Sequence, residues 1–225
     1  MLVSQARMGK AYQPKDAYFR KAKQLGLRAR SAFKIDEIAK RFRLLRPGTR
    51  VLDLGAAPGG FLQIIAAAVG PKGRVVGVDV EPIRALGLPQ VKTAVLDVTA
   101  PDFVDSLRSM GEGEFDAIIS DLAPKTSGIR ATDEARSLAL ASRALEIALE
   151  CGRGGSSFVA KLFMGGDFEP FRRRVRLSYR EVKVVRPQAT RGASSEVYLV
   201  GLDKRDAPDG PPRGFSAKTS AGDSR

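Results

Sequence analysis

Residues 50–61 read Arg-Val-Leu-Asp-Leu-Gly-Ala-Ala-Pro-Gly-Gly-Phe, and this stretch decides the fold. Strand-favouring residues run up to Gly55, a turn follows, and an apolar pattern of helical period begins at Phe61 and continues to Val69. This order is typical of a buried parallel strand, a tight glycine loop and the N-terminus of a helix. In α/β folds these three parts together form a ligand site.

The glycine loop differs from a dinucleotide-binding fingerprint at two positions. Ala57 carries a Cβ where the fingerprint has the glycine that lets the backbone approach a pyrophosphate, and Pro58 has no N–H to donate to a phosphate oxygen. A loop with so few free amides suits a ligand without a diphosphate, and S-adenosylmethionine is the candidate. An NAD-linked oxidoreductase stays open as an alternative.

The composition limits the chemistry that this chain can perform. It has 225 residues, no histidine and one cysteine, Cys151, so Ser-His-Asp and Cys-His catalysis, an internal disulfide and a histidine- or cysteine-rich metal site are excluded. We therefore expect no metal, and proton transfer by Lys, Asp, Glu or Tyr. No apolar run approaches the roughly 20 residues of a membrane span, and the N-terminus lacks a signal-peptide core. We expect a cytoplasmic monomer that does not contact a membrane.

The net charge of +13 is concentrated near the N-terminus. Residues 1–46 hold thirteen Lys or Arg against three acids, whereas residues 47–202 hold twenty against eighteen. A basic arm on a nearly neutral domain is expected of a nucleic-acid binder, and a solubilising tail is the alternative. We predict a flexible basic arm over 1–14, a single domain over 15–202 whose helical segment 15–46 faces RNA, and a disordered tail over 203–225.

Strand and helix patterns alternate after residue 47, as in a doubly wound sheet. The patterns predict strands over 50–54, 74–80, 91–96, 115–120, 156–162, 181–185 and 196–202. They also predict a short helix near 82–86 and a long helix from 133 to about 151. The fold class is therefore α/β, with a Rossmann-like architecture. Its seven-stranded, mostly parallel sheet has helices on both faces and an antiparallel edge strand.

Charged residues lie at the ends of five predicted strands: Asp53, Asp79, Asp97, Asp121 and Lys161. Ligands of open α/β sheets bind beyond the carboxyl ends of the strands, so these side chains are expected at one rim. Asp79 stands where an acid would bind ribose hydroxyls, and Asp97 where one would bind an adenine amino group. Carboxylates also suit the positive sulfonium of S-adenosylmethionine. Asp121 and Lys161 are expected to be neighbours, because adjacent strands lie about 4.8 Å apart.

Several motifs in order resemble the FtsJ family of large-subunit ribosomal RNA 2′-O-methyltransferases. The resemblance runs from about residue 16 to 202 and rests on the segments 26–38, 53–61, 120–124, 158–163 and 195–198. Phe61 stands where the family often has Trp, and Lys125 where it commonly has Asn.

The resemblance implies the S-adenosylmethionine-dependent methyltransferase version of the Rossmann-like fold. It also implies a methyl transfer from S-adenosylmethionine to a ribose 2′-hydroxyl, on a uridine of large-subunit ribosomal RNA within the assembled subunit. The family's catalytic tetrad falls on Lys34, Asp121, Lys161 and Glu196, with Lys161 activating the hydroxyl. Its cofactor contacts fall on Gly59, Phe61, Asp79, Asp97 and Asp121, and our predicted cofactor site adds Asp53, Gly55 and Gly60. A non-catalytic RNA-binding assembly factor that kept the fold is the remaining alternative.

Overall fold

The computed structural model describes residues 14–110, 112–190 and 194–206, and the side chains from residue 17 onwards. Residues 1–13 of the arm predicted over 1–14, and residues 207–225 of the tail predicted over 203–225, therefore lie outside the described residues. The helices are α1 Pro14–Gln24, α2 Ala32–Phe42, α3 Gly60–Val69, α4 Phe103–Ser109, α5 Arg130–Cys151 and α6 Phe168–Ser178. The strands are β1 Arg50–Leu54, β2 Arg74–Asp79, β3 Val91–Val95, β4 Phe115–Ser120, β5 Gly152–Phe163, β6 Tyr179–Val185 and β7 Glu196–Lys204.

The seven strands form one sheet in the order β3-β2-β1-β4-β5-β7-β6. All pairs from β3 to β5 are parallel, and β7 runs antiparallel to both β5 and β6. The predicted fold class is confirmed, with the reversed strand β7 one place in from the edge. The chain leaves β1 towards β2 and leaves β4 towards β5, so a crevice opens between the ends of β1 and β4, where α/β folds bind ligands.

Each face of the sheet carries its own hydrophobic core. Leu52 and Leu54 of β1 face the cluster under α4, α5 and α6, whereas Val51 faces the cluster under α2 and α3. Because side chains alternate along a strand, Asp53 points to the same face as Val51. The α2–α3 face therefore receives the charged residues as well.

Several sequence-based element predictions differ from the structure; β5, for example, begins at Gly152 and not at residue 156. Residues 82–88 form no helix, because Pro82 and Pro89 bracket the segment and Gly87 adopts a φ of +70°. At the other end, β7 continues to Lys204, two residues into the predicted tail.

Cys151 is the last residue of α5 and is buried, and burial raises the pKa of its thiol to about 11, so it is not a nucleophile. None of the described helices is long and apolar enough to cross a membrane.

Candidate active site

A cleft of about 340 Å³ opens beyond the ends of β1, β2, β4 and β5. This volume lies within the range of small-molecule sites, roughly 300–1,000 Å³. The lining residues are Gly55, Ala57, Asp79, Val80, Leu96, Val98, Asp121, Leu122, Ala123 and Lys161. Apolar walls with two carboxylates and one amine can hold a ligand that combines an apolar body with cationic and hydroxyl groups.

The backbone amides of the glycine loop are already used within the chain. The N–H groups of Gly55 and Ala56 donate to the carbonyl of Val78, and that of Gly59 donates to the carbonyl of Ala56. The N–H of Ala57 donates to Asp79 Oδ2 at 2.9 Å. With Pro58 lacking an N–H, residues 55–59 have no amide left for a phosphate oxygen, which disfavours a dinucleotide.

Gly55 lets two strand ends approach each other closely. Its φ is +80°, and a Cβ at this position would lie 3.1 Å from the backbone nitrogen and side chain of Leu122. A larger residue would therefore push the segment after β4 away from the loop after β1. Gly55 shapes the cleft by keeping these two walls together.

Asp121 joins Lys161 to a tyrosine. The ammonium of Lys161 lies 2.9 Å from Asp121 Oδ1 and also donates to the Asp121 carbonyl oxygen at 2.7 Å. The hydroxyl of Tyr198 donates to the same Oδ1 at 2.6 Å. The predicted contact between Asp121 and Lys161 is thus present, and Tyr198 fixes the carboxylate from the other side.

Tyr198 also lies between the two lysine–carboxylate pairs. It is the register partner of Lys161 in the β5–β7 pair, and Lys34 Nζ lies 5.8 Å from the centroid of its ring. Lys34 Nζ forms an ion pair with Glu196 Oε1. Lys34, Asp121, Lys161 and Glu196 therefore form one array on the α2–α3 face of the sheet.

Tyr198 was missed as a site residue by the sequence reasoning. Burial, followed by the charges of Asp121 and Glu196, raises the pKa of its hydroxyl well above the usual value. The group stays protonated and acts as a hydrogen-bond donor. Its position two residues after Glu196 in a strand, and therefore on the same face, was the available signal.

Asp53 lies behind the cleft and does not line it. Its side chain is fully buried, and both of its carboxyl oxygens lack a hydrogen-bond partner among the described residues. Burial raises the pKa of Asp53 well above its usual value, and the negative charges of Asp121 and Asp79 raise it further. The structure therefore holds Asp53 as a neutral carboxylic acid more readily than as a carboxylate.

This raised pKa predicts a particular pH dependence of stability. The contribution of Asp53 is complete below its unfolded pKa of about 3.9 and is lost as the pH rises through the higher folded pKa, by at most about 1.4 kcal/mol per pH unit. We expect Asp53→Asn to remove this loss, so that the variant gains stability relative to wild type between pH 4.5 and pH 8. Urea unfolding across this range measures the effect, and parallel curves for both proteins would contradict it.

The four remaining predicted cofactor contacts, Gly59, Gly60, Phe61 and Asp97, are not among the residues that line the cleft. Asp97 lies between the lining residues Leu96 and Val98 and accepts hydrogen bonds from the backbone and hydroxyl of Thr99, which lower its pKa. Phe61 is 4% exposed and packs in the core under α2 and α3. Gly59 and Gly60 are buried against the connection between α1 and α2.

The basic surfaces are less uniformly positive than the sequence suggests, because several of their arginines are paired with acids. On the α6–β6 side, Arg172, Arg174 and Arg180 form ion pairs with Glu169, Glu146 and Asp203. Phe33 belongs to the segment predicted to face RNA. Its ring centroid lies 5.6 Å from that of Tyr18 and 5.3 Å from the ammonium of Lys21. Part of the positive charge is therefore neutralised, and Phe33 is half covered by α1.

A family model described as "FtsJ-like methyltransferase" matches residues 27–204. The Ribosomal RNA large subunit methyltransferase E of Myxococcus xanthus is 67% identical over 211 residues, which cover 94% of this chain and 99% of that protein. The chain belongs to the FtsJ-like methyltransferase family. The resemblance inferred from the motifs is confirmed, and this methyltransferase is not the NAD-linked oxidoreductase that the glycine loop alone left open.

A second relative and a solved structure are also similar to this FtsJ-like methyltransferase. The protein of the same name from Syntrophobacter fumaroxidans is 45% identical over 195 residues, covering 87% of this chain and 98% of that protein. A crystal structure described as that of a ribosomal RNA methyltransferase from Plasmodium falciparum superposes with a TM-score of 0.71 at 21% identity, covering 79% of this chain and 98% of that one. This last likeness concerns the fold alone. In the described part of the FtsJ-like chain, no three acidic or cysteine side chains cluster as a metal site would require.

Proposed function

We propose that this FtsJ-like methyltransferase moves a methyl group from S-adenosylmethionine to a ribose 2′-hydroxyl of large-subunit ribosomal RNA. The observation that carries the proposal is the position of Lys161, whose amine borders the cleft while Asp121 holds it from two directions. We further propose a uridine in the assembled subunit as the target, and a monomeric enzyme that acts in the cytoplasm.

The cleft fits S-adenosylmethionine in its chemistry. When bound, this group supplies a methyl carbon on a positively charged sulfur, which keeps the electron pair of the broken bond. Asp79 lies where a carboxylate can accept from ribose hydroxyls, and Asp97 lies beside the apolar walls that would flank an adenine. Asp121 would add negative charge to the lining of the cleft, which would suit a positively charged sulfonium. The backbone N–H groups of residues 55–59 already donate hydrogen bonds within the chain, apart from Pro58, which has none. This matches a ligand that carries no phosphate.

Lys161 orients the attacking hydroxyl. Two of its hydrogen bonds go to Asp121, so its amine is fixed and one position remains towards the cleft. In its amine form Lys161 takes the hydroxyl proton while the oxygen–carbon bond forms. Positioning of the reacting atoms at about 3–3.5 Å supplies most of the rate, and general-base assistance typically contributes a further 10²–10⁴-fold.

Lys34 and Glu196 build the RNA side of the same rim. Both side chains are largely buried, and their ion pair packs over the ring of Tyr198. Lys34 lies in α2, within the basic segment 15–46, which would bring a ribose-phosphate backbone to Lys161. Such contacts give affinity with little base information, so the target would be selected by RNA shape.

A methylation assay tests this function. Purified protein is incubated with methyl-labelled S-adenosylmethionine and large subunits that lack the modification, and the nucleosides are separated by mass spectrometry. We expect one 2′-O-methylated nucleoside, a uridine, and far less product with free RNA. Label on a base would contradict ribose transfer. Tight RNA binding without any methyl transfer would favour the alternative of a non-catalytic assembly factor.

A further inference from the structure

Arg28 joins three segments that meet beside the cleft. It lies in the connection between α1 and α2, and its guanidinium donates to the carbonyl of Pro58 at 3.1 Å, to that of Ala85 at 2.7 Å, and to that of Arg84. Pro58 belongs to the glycine loop, whereas Arg84 and Ala85 belong to the connection from β2 to β3. One side chain thus ties the glycine loop and the β2–β3 connection to the segment that leads into α2.

The backbone around Arg28 is fixed to α3 as well. Its N–H donates to Gln63 Oε1 at 2.8 Å, and Gln63 Nε2 donates back to the carbonyl of Gly26 at 2.9 Å. These two bonds hold the α1–α2 connection against the first turn of α3. The guanidinium therefore extends from an anchored backbone, which limits the positions that its donors can reach.

The two loop glycines make room for this connection. A Cβ on Gly59 would lie 2.9 Å from Arg28 Nη1, and a Cβ on Gly60 would lie 3.0 Å from the Cβ of Ala29. Real Cβ atoms are rarely or never that close to such neighbours, so a side chain here would displace the α1–α2 connection. The absence of side chains at Gly59 and Gly60 thus lets Arg28 and Ala29 pack closely, and it also allows the turn itself.

The β2–β3 connection depends on Arg28 because it has little regular structure. Residues 82–88 form neither helix nor strand, and two adjacent carbonyls within them accept from the Arg28 guanidinium. The segment begins just after Asp79 and Val80, which line the cleft. Movement of residues 82–88 would therefore alter the wall that is proposed to hold the ribose.

We propose that Arg28 is a positioning residue that couples the cofactor cleft to the RNA-facing helix α2; this inference rests on the proposed function. Its guanidinium sets the distance between the glycine loop, the β2–β3 connection and α2, which carries Lys34. The planar guanidinium directs several donors in fixed directions, whereas a lysine ammonium is a point charge on a flexible stem. Charge alone therefore does not replace Arg28.

Arg30 provides a matched control. It lies two residues further along the same connection and makes no side-chain hydrogen bond or ion pair within residues 14–110, 112–190 and 194–206. Its charge is thus available to a phosphate, whereas the donors of Arg28 are turned towards carbonyls. The two residues are expected to affect different binding partners.

Three variants test the proposal: Arg28→Ala, Arg28→Lys and Arg30→Ala. Calorimetry with S-adenosylhomocysteine is expected to show affinity about tenfold weaker for both Arg28 variants and unchanged for Arg30→Ala. Trypsin is expected to cleave after Arg84 several-fold faster in both Arg28 variants. In steady-state methylation the Arg28 variants should raise KM for S-adenosylmethionine more than KM for the RNA substrate, and Arg30→Ala should do the reverse.

The outcomes separate this inference from the proposed function. If wild type binds neither S-adenosylhomocysteine nor S-adenosylmethionine, the proposed function fails, and the trypsin rates still decide the coupling role of Arg28. Wild-type affinity and a wild-type cleavage rate in Arg28→Lys would overturn the proposal, because charge would then suffice. Arg28→Lys keeps the charge and most of the side chain. If Arg28→Ala does not fold, the measurements on Arg28→Lys alone decide the proposal.

Discussion

Lys161→Ala is expected to bind the cofactor and to lose methyl transfer, with kcat lowered by about 10²–10⁴-fold. The amine of Lys161 borders the cleft, so its removal takes away the group that we propose to orient and deprotonate the hydroxyl. Single-turnover transfer of labelled methyl to unmethylated large subunits measures the loss, and calorimetry with S-adenosylhomocysteine measures retained binding.

Two further variants control this experiment. Lys161→Met removes the amine while filling most of the volume of a side chain that is 7% exposed, so it separates chemistry from packing. Lys183→Ala removes a strand lysine that is half exposed and paired with Glu181, and it should leave the rate unchanged. Wild-type turnover in both Lys161 variants would remove this residue from the mechanism.

Asp121→Asn is expected to lower kcat by about 10²-fold while the protein stays folded. The substitution keeps the shape of the side chain but removes the charge that fixes the Lys161 ammonium and accepts from the Tyr198 hydroxyl. Cofactor affinity should fall only a few-fold, because Asp79 and the apolar walls of the cleft remain. Paired measurements of single-turnover rate and S-adenosylhomocysteine affinity separate the two effects.

Asp121→Ala provides a contrast in stability. It leaves the Lys161 ammonium and the Tyr198 hydroxyl without their shared acceptor, and we expect a loss of about 1–3 kcal/mol in the free energy of unfolding. Tyr198→Phe removes only the hydroxyl, so it should lower both the rate and the free energy of unfolding by less than Asp121→Ala does. The account would be contradicted if Asp121→Asn turned over at the wild-type rate, or if Tyr198→Phe were more damaging than Asp121→Asn.

The contact between Asp121 and Lys161 could be predicted because it follows from local rules. Both residues end strands of strong apolar pattern, and the ends of neighbouring parallel strands meet at one rim. The position of Glu196 beside Lys34 was less accessible, since it depends on β7 lying between β5 and β6. That register pairs Lys161 with Tyr198, residues far apart in the chain, and no periodicity in the sequence specifies it.

The glycine loop shows why other contacts around the site could not be predicted from the sequence. Gly59 and Gly60 fit a ligand-binding turn, but the neighbours that a Cβ would meet there are Arg28 and Ala29. Those contacts come from a connection without a regular pattern. The helix predicted near 82–86 does not form, and the carbonyls of Arg84 and Ala85 accept from Arg28, a tertiary contact that no sequence pattern specifies.

A crystal structure with S-adenosylhomocysteine tests the central claim most directly, namely that one rim brings Lys161 and the methyl donor together. The account predicts that the ligand lies between Gly55 and Asp79 on one side and Asp121 on the other, with its sulfur directed towards the Lys161 amine. A ligand bound elsewhere on the protein, or bound in the cleft with its sulfur directed away from Lys161, would contradict the account.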